Sequence, residues 1–470
     1  MIDPKQRWEI LLNPVRFRDK KRPSIFDRRN DFENDYSRLI SSSPIRRLQD
    51  KTQVFPLEKS DFIRTRLTHS LEVSSIARSI GKSIEKILEG KDLLINDSGI
   101  SSLLANAGLI HDLGNPPYGH FGETAIQNYF TNLFESQGKY PSLKKWTKQM
   151  KMDFKKYDGN VQTLRILTRL QYLGKEHGFN LSFPTLASII KYPRRSDVGN
   201  KDTKNISDKK FGFFLTEGNL FEEINSILEL KGERHPVTFL LEAADDIAYS
   251  GADIEDGVKL GILKYDIIVK EFDSKRGKLN SKQRKAVSEF KKEYKRLQGI
   301  EGTDALDIAV QNFRIISQGI MIDSILNEFI DNHTSILNGT YKKELLKGSS
   351  SGDFKECFKN LSYVVYKNKT IVEKELSGYV VIQGLLDEYI QAALKGKFHK
   401  NEKGKCGRLY NLVSSSYRFI YEQELKKNIG KPKSKRIDPL YLQFQLITDF
   451  IGGMTDTYAL ELYQRISGIR

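Results

Sequence analysis

The sequence predicts an all-α protein, a helical core with an additional helical region toward the C-terminus. Three observations predict it. Wherever apolar residues recur regularly they do so at i, i+3, i+4 and i+7, the spacing of one helix face. Prolines stand where helices would begin or break. Only "SGYVVIQGLL" (377–386) offers a strand pattern, and a helix fits it comparably well. In chain order, Val73, Ile76, Ala77 and Ile80 share one face of a helix that carries His69 in its first turn. Leu103, Leu104, Ala107 and Ile110 mark a second helix, which should end near Gly114 because Pro116 and Pro117 cannot continue it. A third follows Gly122 and buries Ile126, Tyr129 and Phe130. Pro236 suits the first turn of a fourth, "HPVTFLLEAADDIAYSGADIEDGVKLG", packed through Leu241, Ala244 and Ala248. Residues 270–296 are lysine-rich but amphipathic through Phe290 and Tyr294, as a solvated helix face would be. The polar stretches 193–210, 347–353 and 426–436 are surface loops or linkers by composition.

At 470 residues, 29% charged and 39% hydrophobic, the chain has the balance of a soluble protein with a large core. No run of about eighteen apolar residues occurs, which argues against a membrane span. The first residues are charged and lack an apolar segment ending in small residues, so the expectation is a cytoplasmic protein without a secretory signal. The two cysteines, Cys357 and Cys406, form no CxxC pair, which argues against zinc-thiolate sites and a disulfide framework. A formal charge of +16 favours polyanionic partners: nucleic acid, phosphorylated small molecules or an anionic surface.

Histidine is scarce, seven in all, yet His69, His111 and His120 lie close together in sequence. Two of them fall in "HDLGNPPYGHFGE" (111–123), which gathers two histidines, an aspartate and a glutamate around a proline break. Packing gives no reason for such a segment. A lone histidine on a half-apolar helix is ordinarily structural, and an aspartate pair is ordinarily solvated; the conjunction of His69, His111-Asp112 and Asp245-Asp246 is not ordinary. Imidazole and carboxylate donors together suit Mn²⁺, Fe²⁺, Zn²⁺ or Co²⁺, and Mg²⁺ where waters and substrate phosphates complete its shell. Adjacent helical residues diverge by about 100°, so His111 and Asp112 can converge only at a helix terminus.

The spacing H…HD…D resembles the HD-domain metal-dependent phosphohydrolases. The words "RRLQDKTQVFPLEKSDFIRTRLTHSLEV", "HDLGNPPYGHFGE", "YDGNVQTLRILTRLQ", "KYP", "RHPVTFLLEAADDIAYSGADIEDG" and "GGMTDTYAL" resemble, more narrowly, the deoxyguanosinetriphosphate triphosphohydrolases and their dNTPase relatives, in order from about residue 14 onward. The resemblance implies an HD-domain helical core and a division into an N-terminal arm (1–45), the metal and nucleotide site (46–265) and a C-terminal helical region (266–470) that completes the site and oligomer contacts. It implies His69, His111, Asp112 and Asp245 as ligands of a divalent metal, Mg²⁺ or Mn²⁺ foremost, with Fe, Co, Ni or Zn as alternatives. Asp245 is chosen over Asp246 because the family's deoxyribose-facing tyrosine follows its metal aspartate by four positions, as Tyr249 follows Asp245. His120 and Glu123 would be the catalytic pair. Gln53 and Val54 would line the nucleoside pocket, with Gln53 and Asp253 at the sugar 3′-hydroxyl and Tyr249 against C2′. Arg66, Lys191 and Tyr192 would face the triphosphate, with Asn160 a further contact and Arg314 the best candidate among the arginines of the C-terminal third. Relatives often carry an arginine shortly before "GMTD"; this chain reads "LQFQLITDFIGGMTD".

The activity so implied is hydrolysis of a deoxynucleoside triphosphate, dGTP by family precedent, to deoxynucleoside and tripolyphosphate, for control of dNTP pools. Implied partners are the dNTP, further copies of the chain (a hexamer by resemblance) and single-stranded DNA, which the cationic 426–436 and 270–296 segments would attract. Two alternatives stand beside this: another HD-type nucleotide phosphohydrolase, which shares the metal but does not need "DKTQVF", His120-Glu123 and "DDIAY", and a non-catalytic nucleic-acid-binding protein on the same scaffold.

Overall fold

The computed structural model describes residues 3–18, 27–57, 60, 62–95, 97–171 and 177–469. Among them there is no strand, only one isolated antiparallel bridge between Thr52 and Thr65, and the expected all-α class holds. The helices that position the site are α1 (Arg66–Gly90), α2 (Ile100–Ile110), α3 (Gly119–Glu135), α4 (Gly159–Arg165), α5 (Pro236–Lys259), α6 (Ala305–Asp331), α7 (Gly352–Tyr366), α8 (Lys369–Leu394), α9 (Pro439–Gly452) and α10 (Asp456–Ser467). No helix among the described residues is long and apolar enough to cross a membrane.

Local chemistry sets the ends of the four central helices. Thr65 caps α1 in a capping box, its hydroxyl accepting from Thr68 N–H while the Thr68 side chain closes back on Thr65. α2 is buried along its whole length and crosses α1 closely: a Cβ on Gly108 would stand 2.7 Å from Ser74 Cα, so glycine permits the approach that brings His111 toward His69. Pro236 occupies the first turn of α5, and the His235 side chain accepts from Val237 N–H. The expected stripe of Leu241, Ala244 and Ala248 is buried.

Two apolar cores result. One runs from Trp8 through α1, α2, α5 and α6 to Ile371; the other joins α3 and the 141–170 segment to α8, α9 and α10. Arg165 helps to bind the second core together. Its buried guanidinium meets Asp449 at 2.8 Å and Glu217 at 2.9 Å, with Glu424 at 3.3 Å.

Several local expectations are resolved or revised. The 377–386 stretch is helical, inside α8, because its buried residues Gly378, Val381, Ile382, Leu385 and Leu386 fall at helical spacing despite their β-branched neighbours. The third central helix begins at Gly119, before Gly122. Residues 270–296 are two helices, Tyr265–Ser274 and Ser281–Gln298, the second restarted by an Asn280–Gln283 capping box; Phe290 is buried and Tyr294 stacks on Tyr265 at 4.0 Å. The 426–436 stretch is helical as far as Gly430. Of the 347–353 stretch only residues 349–351 form a turn, between a short helix, Leu345–Gly348, and the start of α7, with Ser351 Oγ buried against Gln283 Nε2 (3.1 Å) and Ser324 Oγ (2.7 Å).

Candidate active site

Three helices bring the first cluster together. α1 offers His69 from its first turn, α2 offers His111 as its C-terminal cap, and α5 offers Asp245 from its middle. His69 Nε2 lies 3.1 Å from Asp245 Oδ1, and His111 Nε2 lies 3.4 Å from the same oxygen. One donor atom from each of the three falls within 4.8 Å of the others. His111 Nδ1 donates to the Gly108 carbonyl at 2.7 Å, which places the ring proton on that nitrogen and leaves the Nε2 lone pair facing the cluster. That Nε2 is buried and makes no hydrogen bond. A buried, tautomer-fixed imidazole nitrogen with no bond of its own, beside a second imidazole and a carboxylate, fits a divalent cation.

Asp112 stands slightly apart. Its Oδ2 is 3.5 Å from His111 Nε2 but accepts a hydrogen bond from Arg66 Nη1, and its Oδ1 accepts from Asn115 Nδ2 at 2.8 Å. The two adjacent residues follow the last helical residue of α2, Ile110, and their side chains lie on neighbouring sides of the cluster. Burial penalises the charged carboxylates, but His111 with Arg66 holds Asp112 well below the ordinary range, and His111 with His69 and Lys191 does the same for Asp245. Lys191 Nζ is 3.7 Å from Asp245 Oδ2, and despite burial Asp245 and Glu242 keep it charged.

His120 lies in the first turn of α3 and Glu123 three residues further on. His120 is open to solvent, while Glu123 is buried beneath it with Oε2 3.3 Å from His120 Nδ1 and Oε1 accepting from Gly159 N–H at 2.7 Å. The hydrogen bond to Glu123 raises the His120 pKa above its ordinary value, and Asp112 and Arg66 act on it from the neighbouring cluster. The preceding Gly119 backs directly onto Arg66, whose Nη2 is 2.8 Å from where a Cβ would stand.

Tyr249 and Asp253 follow Asp245 at four-residue intervals on α5. Burial pushes Asp253 up to about 6, and its carboxylate accepts from the Tyr366 hydroxyl of α7. Gln53 Oε1 is buried without a hydrogen bond, in the segment after the Thr52–Thr65 bridge, and Val54 packs on the first core. Tyr192 lies under the Arg234 guanidinium at 5.2 Å. Asn160 is turned to Asp158, its Nδ2 donating to Oδ1 at 2.7 Å. Arg314 lies beside Gly251 and pairs with Glu255 at 2.9 Å, so its polar contact is with the far part of α5 and not with Asp245.

Sequence reasoning missed Tyr366, Lys355 and Asn115. Lys355 of α7 pairs with Asp246, whose carboxyl burial nonetheless lifts to about 6. Neither Lys355 nor Tyr366 carries any local signal, since each meets α5 more than a hundred positions away. Asn115 was legible in principle, as the polar residue between Gly114 and the two prolines.

Residues 66–151 match the HD domain family. Over 98% of this chain and 100% of the relative, the sequence is 41% identical to a deoxyguanosinetriphosphate triphosphohydrolase-like protein of Listeria monocytogenes. It is 32% identical to a protein of the same description from Synechocystis, over 98% of this chain and 99% of the relative. It is also 32% identical to a deoxyguanosinetriphosphate triphosphohydrolase of Yersinia pestis, over 93% of each chain. Similarity of this extent, running through α1, α2, α3 and α5 and on to the C-terminal helices, shows that the chain belongs to the deoxyguanosinetriphosphate triphosphohydrolase family of HD-domain enzymes.

Proposed function

We propose that the protein hydrolyses deoxynucleoside triphosphates to deoxynucleoside and tripolyphosphate. The observation that carries the reading is the convergence of His69, His111 and Asp245 beside an exposed His120 backed by a buried Glu123. His69, His111, Asp245 and Asp112 would hold the divalent cation, Mg²⁺ or Mn²⁺ foremost. Bound there, the cation supplies charge neutralisation at the α-phosphate and acidifies water.

The chain's own residues do the rest. Water attacks the α-phosphorus, its oxygen forms the new P–O bond and the bond to the 5′-oxygen breaks; one of the water's protons ends on the 5′-oxygen and the other leaves to solvent. Glu123 takes the Nδ1 side of His120, leaving Nε2 to move a proton in the cleft. Arg66 and Lys191, charged and close to the cluster, offset the growing negative charge. Tyr249 packs against C2′ and so disfavours a ribose hydroxyl, while Gln53 and Asp253 take the 3′-hydroxyl; the unbonded Gln53 Oε1 supports that assignment. Val54 lines the base, Tyr192 faces the triphosphate beside Lys191, and Asn160 and Arg314 are further contacts.

dGTP is the substrate favoured by the relatives' names, and control of dNTP pools in the cytoplasm is the role that follows. A homo-oligomer, with the hexamer as first expectation, is supported by Val372, Leu376 and Val380, an exposed apolar row at four-residue spacing on α8. Single-stranded DNA binding through the lysine-rich surfaces belongs to the same reading and requires steeply salt-dependent affinity.

The test is to incubate the purified protein with each dNTP and with GTP, in Mg²⁺ or Mn²⁺, and to separate the products. Deoxynucleoside and tripolyphosphate are expected, with solvent ¹⁸O in the tripolyphosphate. Monophosphate and pyrophosphate would mean that a different bond is cut. No turnover would favour the nucleic-acid-binding alternative.

A further inference from the structure

The "GGMTD" word near the C-terminus carries no role in the reaction above, yet its aspartate bonds two segments that lead into the site. Asp456 is the first residue of α10 and is buried, with 2% of its surface exposed. An acid at a helix N-terminus ordinarily serves its own helix. Here Thr455 fills that role, its hydroxyl accepting from Tyr458 N–H, and the Asp456 carboxylate turns outward to two distant segments. Oδ2 accepts from the backbone N–H of Thr52 at 3.0 Å and from the Thr52 hydroxyl; Oδ1 accepts from the backbone N–H of Tyr118 at 3.0 Å. The Tyr118 hydroxyl closes the loop by donating to the Asp456 carbonyl at 3.1 Å.

Both segments lead directly into the site. Thr52 precedes Gln53 and Val54, and Tyr118 precedes Gly119 and His120. Tyr118 has φ 61, a left-handed conformation that a tyrosine holds only where its surroundings over-determine it. Its amide and its hydroxyl are both fixed by Asp456. The Thr52 carbonyl in turn accepts from Arg66 Nε at 3.0 Å, and Arg66 Nη1 donates to Asp112. A chain of bonds therefore runs from α10 through the 51–52 backbone to the candidate metal cluster. Lys51 reinforces it from inside the protein, donating to the Asn115 carbonyl at 2.6 Å and the Gly452 carbonyl at 3.0 Å.

We propose that Asp456 is a positioning residue for the reaction: it locks the start of the nucleoside-facing segment to the strained entry of α3, and so sets the distance between His120, Gln53 and the metal cluster. The proposal rests on the reading of His120 and Gln53 given above.

The experiment uses the full chain with Mn²⁺ and dGTP, comparing wild type, Asp456→Asn, Asp456→Ala and Thr52→Val, each with amide hydrogen exchange read by mass spectrometry. Asp456→Asn keeps one acceptor and the volume, so it retains the fold and isolates the clamp from the cavity that alanine leaves. It should lower kcat by about 100-fold, the scale of a misplacement near 1 Å, while Mn²⁺ still raises the melting temperature. Exchange should quicken in peptides covering 50–57 and 115–123 and stay unchanged in α5. Thr52→Val removes one donor of the clamp only, so KM should rise more than kcat falls. A kcat/KM for Asp456→Asn within threefold of wild type would overturn the proposal, and so would quickened exchange spread equally over α5, which is the mark of general destabilisation. Failure of the wild type to turn over any dNTP would sink the proposed reaction instead, and the exchange pattern would still decide whether the clamp exists.

Discussion

Gly114 sits between the histidine-aspartate pair and the proline break, and its replacement by alanine tests why the motif contains a glycine there. A Cβ would stand 2.1 Å from the Gly159 carbonyl oxygen and 2.3 Å from Thr163 N, both backbone atoms that cannot swing aside. The Gly114 amide also donates to Thr163 Oγ1 at 2.9 Å. α4 must therefore retreat by about 1 Å to recover ordinary contact. Overpacking of this kind costs about 1–3 kcal/mol and the lost hydrogen bond about 1 kcal/mol, so Gly114→Ala should destabilise the protein by about 2–4 kcal/mol. The retreat also pulls Gly159 N–H from Glu123, the partner of His120, and turnover should drop about 100-fold. Urea unfolding with full baselines gives the first quantity and steady-state dNTP hydrolysis the second. Gly138→Ala, where a Cβ meets nothing within 4 Å, is the control and should change neither. An unfolding free energy for Gly114→Ala within about 0.5 kcal/mol of wild type would refute the steric argument. Lost stability with unimpaired turnover would refute the link from α4 to the catalytic pair.

Three further outcomes are expected. Glu123→Gln removes the partner that raises the His120 pKa, so the limb of the kcat–pH profile set by His120 should move to lower pH and the rate at neutrality should fall about 100-fold; an unmoved limb would separate the two residues. Stripping divalent metal should abolish turnover, and Mn²⁺ at about a hundred times its Kd should restore it with about 2.7 kcal/mol of added stability; His111→Ala should erase that stabilisation, and its survival would put the metal elsewhere. Burial raises the Asp153 carboxyl from 3.8 to about 7 against the bonds it accepts from Ser196, Tyr441 and Leu215. The folded state then holds a proton that the unfolded state releases, so wild-type stability should fall relative to Asp153→Asn as pH rises from about 4 to 7, by at most about 4 kcal/mol; a flat difference across that range would contradict the assignment.

What the sequence made legible was whatever short-range chemistry decides. The spacing of Val73, Ala77 and Ile80 predicts the buried face of α1, and the prolines after Gly114 predict the break that lets His111 and Asp112 leave the helix together. Scarce histidines made the cluster visible. For 377–386 the sequence left strand and helix open, and the spacing of the β-branched residues, not their type, decides which face is buried. The charged 426–430 residues suggested a loop because a cationic run has no apolar stripe of its own, yet the helix that begins at Ser415 carries them to Gly430.

The part that stayed hidden follows one physical rule. α5 carries Asp245, Asp246, Asp253, Glu255 and Asp256 within twelve positions of a largely buried helix, and carboxylates out of water need donors wherever in the chain these come from. The structure supplies a different one for nearly each: Lys191 for Asp245, Lys355 for Asp246, the Tyr366 hydroxyl for Asp253, Arg314 with Arg64 for Glu255, and Arg64 for Asp256. Lys355 and Tyr366 are not marked by their own neighbours, since a lysine or tyrosine on a mixed helix such as α7 looks solvated until the helix opposite is known. The demand itself was readable: five acids on a helix whose other face is apolar require about as many donors from elsewhere. Part of the chain's positive balance is therefore spent inside the molecule, on α5, before any of it is available to a triphosphate or to DNA.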